Sequence, residues 1–277
     1  MGKHRASRLL VQAMESILAA TNPMTVRQVF YQLVVGQVLE NTESAYKRVS
    51  RLLSDARRQG VIPWAWVEDR LRRPRTVPMW DGVADFASVA AQYRRDVWVF
   101  QEHYVETWLE KDALAGFFED VLAYYGVTLN VGRGYDGWDS IHNAALRIRE
   151  MARPTTILYF GDFDPSGEDM VRSLRARLDE SGVQPEIVKC ALTAEDIQRY
   201  ALPPAPAKQT DTRTKKFVEQ HGDVSVELDA LPVDVLIARL RGEVERCLDL
   251  PALAALKAIE EQERQRIAEA FDALEGA

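Results

Sequence analysis

The sequence predicts an α/β protein in two parts: an N-terminal winged helix-turn-helix, then a mainly parallel sheet flanked by helices, with a helical C-terminal extension. Three observations lead there. Helical periodicity runs through residues 5–58. From about residue 95, apolar runs of strand length alternate with helical stretches. Charge is also divided: residues 1–80 hold 13 Lys and Arg against 6 Asp and Glu, and the remainder holds 22 against 36. The expected division is 1–82, winged helix with a basic linker, and 83–277, the sheet domain with its extension.

In the first part, a helix over 5–20 is broken by Thr21-Asn22-Pro23. A second begins at Thr25, where Thr25 and Gln28 match a capping box. A third runs from about Ser44 to Arg58 and stops at Gly60. The segment Val61–Val67 reads as extended, and Arg70 to Gly82 as an irregular basic linker. Three helices and a wing, in that order, describe a winged helix-turn-helix. On the third helix, Ala45, Val49, Leu52, Leu53 and Ala56 form a core stripe. Lys47, Arg51 and Arg58 share the opposite side, as phosphate contact by a recognition helix requires. Arg57, Arg70, Arg72, Arg73 and Arg75 extend that track.

In the second part, apolar runs fall at Val97–Phe100 and Tyr104–Leu109, followed by a helix at about 112–125. Strands are expected at Thr128–Val131, Thr155–Phe160 and Glu186–Cys190, with helices at about 138–152 and 166–180 between them. Such alternation implies parallel strands. Pro203-Pro204-Ala205-Pro206 marks a loop, and the tail from about Val233 is helical and acidic.

The sharpest chemical signal is Gly161-Asp162-Phe163-Asp164-Pro165-Ser166-Gly167 at the end of an apolar strand. Ligands of parallel sheets gather beyond the carboxyl ends of strands, so both aspartates sit where a site belongs. Glu110 ends another strand in the same way. If the two strands are neighbours, Glu110, Asp162 and Asp164 converge. Three clustered carboxylates repel unless a cation neutralises them, and hard oxygen ligands suit Mg2+. Lys111 stands beside them to steady a phosphate charge. Glu227 and Asp229 precede a helical run; they either border the metal site or cap that helix, and capping is the favoured expectation.

A strand-terminal Glu followed by Asp-X-Asp-X-X-Gly resembles the Toprim domain. Leu109-Glu110-Lys111-Asp112-Ala113, Gly132-Arg133-Gly134-Tyr135 and Gly161–Gly167 are together similar to the A subunit of DNA topoisomerase VI and the related meiotic double-strand-break transesterase. The similarity covers about residues 20–170. Asp136-Gly137 departs from the proline-aspartate pair usual there. Arg27-Gln28-Val29-Phe30-Tyr31 resembles that family's Arg-X-X-(Tyr/Phe)-Tyr motif, which implies that Tyr31 is the nucleophile. A helical wheel sends Tyr31 off the face formed by Val26, Val29, Phe30, Leu33 and Val34, with Arg27 one turn earlier on its side. A phenol is a weak nucleophile unless a cation or base assists it, and Arg27 could supply part of that help.

The resemblance implies magnesium-dependent cleavage of duplex DNA by a homodimer, Tyr31 of one copy serving the metal site of the other. No Gly-rich ATP motif is visible, so either a separate ATPase subunit exists or the chain cuts DNA without passing strands. The chain looks like a reduced, stand-alone form of that A subunit. Two alternatives stay open: a Toprim nuclease in which the same acids activate water, and a DNA-binding protein without chemistry. No apolar run approaches the roughly 18–20 residues needed to span a bilayer, and no signal peptide is expected. Cys190 and Cys247 show no metal-type spacing and fit reduced thiols in a cytoplasmic protein. His4, His103, His142 and His221 share no spacing.

Overall fold

The computed structural model describes residues 2–67, 77, 79–132, 138–204 and 214–275. Three helices open the chain: α1 (Gly2–Ala20), α2 (Val26–Val35) and α3 (Glu43–Arg58). Thr25 caps α2, and Gln28 returns the bond to its backbone, so the expected capping box forms. Thr42 caps α3 through the Ala45 N–H. Leu10, Met14, Leu18, Val29, Phe30, Leu33, Val49 and Leu53 are buried where the three helices meet.

The expected extended segment at 61–67 is different. Trp64–Trp66 form a 3-10 turn after Pro63, and Val67 makes a single bridge to Met24. Arg57 holds this turn, donating to the Trp64 and Val67 carbonyls with its guanidinium 4.2 Å from the Trp64 ring centroid. Arg57 is therefore a structural residue rather than part of a DNA track. Arg70, Arg72, Arg73 and Arg75 lie outside the described residues.

A short helix, α4 (Val83–Ala87), and 3-10 turns at Ser88–Gln92 and Val97–Phe100 lead into the sheet. The apolar run Val97–Phe100 is thus not a strand; Asp96 caps it through the Trp98 N–H. The sheet follows: β1 (Tyr104–Leu109), α5 (Ala115–Tyr125), β2 (Thr128–Val131), α6 (Trp138–Met151), β3 (Thr155–Phe160), α7 (Pro165–Glu180) and β4 (Glu186–Ala191). Beyond it come α8 (Ala194–Arg199), α9 (Thr214–His221), a 3-10 turn at Leu228–Ala230, α10 (Val233–Cys247) and α11 (Leu250–Glu275).

All strand pairs are parallel, in the order β2-β1-β3-β4. Parallel sheets are covered on both faces, and every residue of β1 and β3 is buried. One face meets α5 and α10, with Phe118 of α5 edge-on to Phe160 at 5.0 Å. The other meets α6 and α7. There Tyr159 reaches the Met170 sulfur, and Arg147 of α6 reaches Glu106. Chain order reverses between β1 and β3: β1 leads outward to β2, and β3 leads outward to β4. That reversal opens a crevice at the carboxyl ends of these two strands.

Two buried carboxylates tie the layers together. Glu106, in the middle of β1, is fully buried. It accepts bonds from Arg147 Nε (2.8 Å), Asn130 Nδ2 (2.7 Å), Tyr104 Oη (3.0 Å) and Trp108 Nε1 (3.3 Å). Asp196 completes the capping box of α8 by accepting the N–H of the cap residue Thr193, and binds both terminal nitrogens of Arg239 on α10 at 2.6 Å. At the C-terminal end, α11 packs on α4 and the 3-10 turns, with Glu263 accepting from Tyr93 and Arg95.

Glu106→Ala leaves the Arg147 guanidinium and several donors without their acceptor. A loss of about 3–5 kcal/mol is expected, read as a lower denaturant midpoint at unchanged slope. Asp196 gives an acid dependence. Burial works against its charge, but the Arg239 and Thr193 bonds outweigh burial and hold its pKa below the ordinary value. A depressed carboxylate contributes stability above its unfolded pKa of about 3.9 and loses it as pH falls through the lower folded value. The stability gap between wild type and Asp196→Asn should therefore be full at neutral pH and narrow below about pH 4. Urea titrations of both proteins across that range measure it.

Candidate functional site

The crevice between β1 and β3 is lined by acids that both strands deliver. Leu109 pairs with Phe160, and the Glu110 N–H donates to the Phe160 carbonyl (2.9 Å). Glu110 and the aspartate loop therefore leave the sheet side by side. The Glu110 Oε2 accepts the Asp162 N–H at 2.9 Å. Asp164 caps α7, its Oδ1 accepting the Gly167 N–H at 2.6 Å, with Pro165 in the first turn. The Glu110 carboxylate thus touches the aspartate loop through the Asp162 backbone; among the described residues the three expected acids do not form a group that could hold a metal ion.

The glycine spacing has a steric cause. A Cβ on Gly161 would stand 2.7 Å from Glu110 Oε2 and 2.6 Å from the Tyr159 ring. A Cβ on Gly167 would stand 2.3 Å from the Asp162 carbonyl oxygen. Glu110 thus reaches the loop only across a bare Cα, and α7 approaches Asp162 only at a glycine.

Two more acids join from the 3-10 turn before α10. Glu227 and Asp229 make no side-chain capping bond at either helix start, so the expected capping role does not hold. Instead the turn closes over the crevice. The Leu228 N–H donates to Asp162 Oδ1 at 2.8 Å. Lys111 Nζ lies 2.8 Å from Asp162 Oδ2 and 3.2 Å from Glu227 Oε2. Arg27 of α2 donates to the same Glu227 oxygen at 2.7 Å and stands 3.6 Å from Asp229 Oδ2. Asp229 is 2% exposed, and neither of its carboxylate oxygens accepts a hydrogen bond. The sequence signal for both residues was their acidity alone. Their side chains reach the site only because the chain returns to it some 60 residues after Asp164, a separation that periodicity does not record.

Burial and mutual repulsion set the electrostatics. Burial raises the Glu110 carboxyl, and the charges of Asp162 and Asp164 raise it further. Burial also raises Asp162 against the pull of Lys111. Asp229 is pushed up to about 6, again first by burial. For Lys111 burial opposes the charge, but Asp162, Glu227 and Asp229 prevail and hold the ammonium above its ordinary value. An ion pair alone would lower Asp162; its upward shift reflects the cost of desolvation exceeding the gain from Lys111.

Tyr31 differs from expectation. It is 6% exposed rather than projecting from α2. The wheel located the side of α2 that faces α1 and α3, but the other side packs on the Leu228–Ala230 turn of the sheet domain. Burial and Glu227 raise its phenol, outweighing the opposing effects of Arg27 and Lys111. Arg27, expected to activate Tyr31, spends its charge on Glu227 and Asp229.

Lys47, Arg51 and Arg58 are exposed on α3 as expected, and Lys47 pairs at the surface with Glu43 at 2.6 Å. Gly132 donates its N–H to the Leu109 carbonyl at the end of β1, while 133–137 lie outside the described residues.

The hard oxygen donors of Glu110, Asp162 and Asp164 are of the type that suits Mg2+, and the oxygens of buried Asp229 accept no hydrogen bond. Among the described residues, however, no three His, Cys, Asp or Glu side chains stand gathered as a ready cage for a metal ion. Lys111 lies between Asp162 and Glu227, so its ammonium already supplies positive charge to the Asp162 carboxylate. No protein-family model and no curated protein matches the chain. No helix among the described residues is long and apolar enough to cross a membrane.

Gly167→Ala should cost about 1–3 kcal/mol, because the added methyl meets backbone rather than a flexible side chain. Gly242→Ala in α10, where a Cβ meets nothing within 4 Å, should be neutral or stabilising. Thermal unfolding of the two variants makes the comparison.

Proposed function

We propose that this chain cleaves both strands of duplex DNA by tyrosine transesterification at a magnesium-binding acid cluster, in the manner of the topoisomerase VI A subunit. The supporting observation is the Glu110–Asp162 contact at the end of β1 and β3, with the Tyr31 helix docked beside it through Arg27 on Glu227 and Asp229. On this reading the first three helices form the winged-helix domain and the four-stranded sheet is a Toprim domain. Glu110, Asp162 and Asp164 would hold Mg2+, which when bound supplies positive charge to the scissile phosphate and the departing 3′ oxygen.

The chain's own groups do the rest. The Tyr31 phenolic oxygen bonds to phosphorus as the bond from phosphorus to the 3′ oxygen breaks. The phenol proton leaves to solvent or a neighbouring carboxylate, and the 3′ oxygen departs as a hydroxyl by taking up a proton. The 5′ end stays on Tyr31 as a phosphotyrosyl ester. Arg27 and Lys111 are the cations nearest the reacting groups, suited to phosphate contact once released from Glu227. Lys47, Arg51 and Arg58 on α3 would track the DNA backbone, with Arg72 and Arg73 of the basic linker beside them. Two copies would act together, one for each strand, Tyr31 of one serving the acids of the other. A separate ATPase subunit would be needed for strand passage.

A second reading is favoured by one observation. Tyr31 is buried and its phenol is raised, which suits a structural tyrosine and a hydrolytic Toprim nuclease. Mg2+-dependent reactions quenched in denaturant separate the two. Transesterification gives protein covalently bound to 5′ ends, lost in Tyr31→Phe and reduced roughly 10²–10³-fold or more in Asp162→Ala. Free 5′-phosphate ends that survive Tyr31→Phe but vanish in Asp162→Ala would establish hydrolysis instead. No cleavage by wild type under any divalent cation would sink both.

A further inference from the structure

We infer that the seam between α2 and the Leu228–Ala230 turn is an autoinhibitory latch over Tyr31, and that duplex DNA opens it by drawing Arg27 away from Glu227. The inference rests on the proposed DNA-binding reading and needs no metal ion. Among the described residues, the principal contact of the first three helices with the rest of the chain is α2 against that turn. Tyr31 lies in the seam and is 6% exposed. The charges across it are Arg27 to Glu227 (2.7 Å) and Arg27 to Asp229 (3.6 Å), with Lys111 at 3.2 Å on the sheet side of Glu227.

Burial of the Tyr31 ring favours the closed seam. Two features keep it weak. The Arg27 and Glu227 side chains are 40% and 42% exposed, so water and salt reach their ion pair. Closure also shuts in Asp229, whose carboxylate oxygens accept no hydrogen bond; opening hydrates them and offsets part of the lost contact. Arg27 has a second neighbour on its own unit. Its guanidinium stands 5.7 Å from the ring centroid of Tyr46 on α3, the helix that exposes Lys47, Arg51 and Arg58. A DNA phosphate held along α3 competes with Glu227 for that guanidinium and offers it a bidentate partner. The acids beyond the seam repel the phosphate, so Arg27 is drawn outward with α2 rather than the phosphate inward. Arg27 lies one turn from Tyr31, and its release frees the side of α2 that carries the tyrosine. The face built from Val29, Phe30 and Leu33 stays packed within the first three helices. Tyr31 thus leaves its own turn only with DNA bound, as it must before it can serve the acids of a second copy.

Nitration of Tyr31 in the full chain, resolved by mass spectrometry in EDTA and referred to exposed Tyr124, tests the latch. Raising NaCl, and separately adding a short duplex DNA at low salt, should each speed it by roughly two- to fivefold. Arg27→Gln and Glu227→Gln should be fast at low salt and lose the response to NaCl, and the double variant should be no faster than the faster single. Unchanged hydrogen exchange in α1, β1 and β3 shows that each variant is folded; the wild-type arms carry the test where one is not. Fluorescence anisotropy in the same buffer reports whether the duplex binds. Binding that leaves Tyr31 shielded, or an Arg27→Gln variant that behaves as wild type, overturns the latch but leaves the DNA-binding reading standing. Absence of duplex binding overturns both.

Discussion

Charge repulsion among clustered carboxylates, two of them buried, is the constraint around which this molecule is arranged. Glu110, Asp162, Asp164, Glu227 and Asp229 approach one another where β1 and β3 end, and burial raises Glu110, Asp162 and Asp229 above their ordinary values. A lone carboxylate in that position would take up a proton, and several together would push the loops apart. Lys111 prevents this by lying in the middle of the group rather than at its rim. Arg27 does the same at the outer edge. The docking of the first three helices on the sheet domain is partly a consequence of this need for positive charge: α2 delivers the guanidinium that the 3-10 turn requires.

The acids differ in how firmly they are held. Glu110 and Asp162 are joined by a hydrogen bond from the Asp162 backbone N–H to the Glu110 carboxylate, across a glycine that admits no side chain. Asp164 is fixed as the cap of a 16-residue helix. Moving any of these means distorting the sheet or α7. Glu227, at 42% exposure, is held by two cations and by no side-chain cap, so it can exchange partners at small cost. Three firmly held acids thus face one that can change partners.

The parts that could be read in the sequence are those whose cause is local. The strands at Tyr104–Leu109 and Thr155–Phe160 are recognisable because buried parallel strands are short apolar runs between breakers. The capping box at Thr25 and the aspartate loop are recognisable because three-residue and five-residue spacings carry their own geometry. Tyr31 was misjudged because a wheel describes one helix against one neighbour, and α2 has two. Glu227 and Asp229 were misjudged because a capping role is local whereas their actual partners, Lys111 and Arg27, are about 116 and 200 residues away. Glu106 carried no signal at all: a charged residue inside a strand reads as an exposed position, and only the Arg147, Asn130 and Tyr104 partners explain its burial.

The burial of Tyr31 bears on chemistry through what it does not require. If the phenol were packed inside the three-helix unit, exposing it would mean unfolding that unit. Instead Val29, Phe30 and Leu33 fill the interior of the unit, and Tyr31 lies at its boundary with the Leu228–Ala230 turn. Parting that boundary is a rigid-body movement of one packed unit against another, which conserves the core contacts on both sides. The electrostatic element of the boundary centres on Arg27 and Glu227, whose exposure leaves both open to competing ions. The raised phenol pKa describes a tyrosine kept neutral and shielded where the two units meet. The acid cluster remains in place throughout, because its strands, its glycines and its helix cap belong to the sheet domain alone.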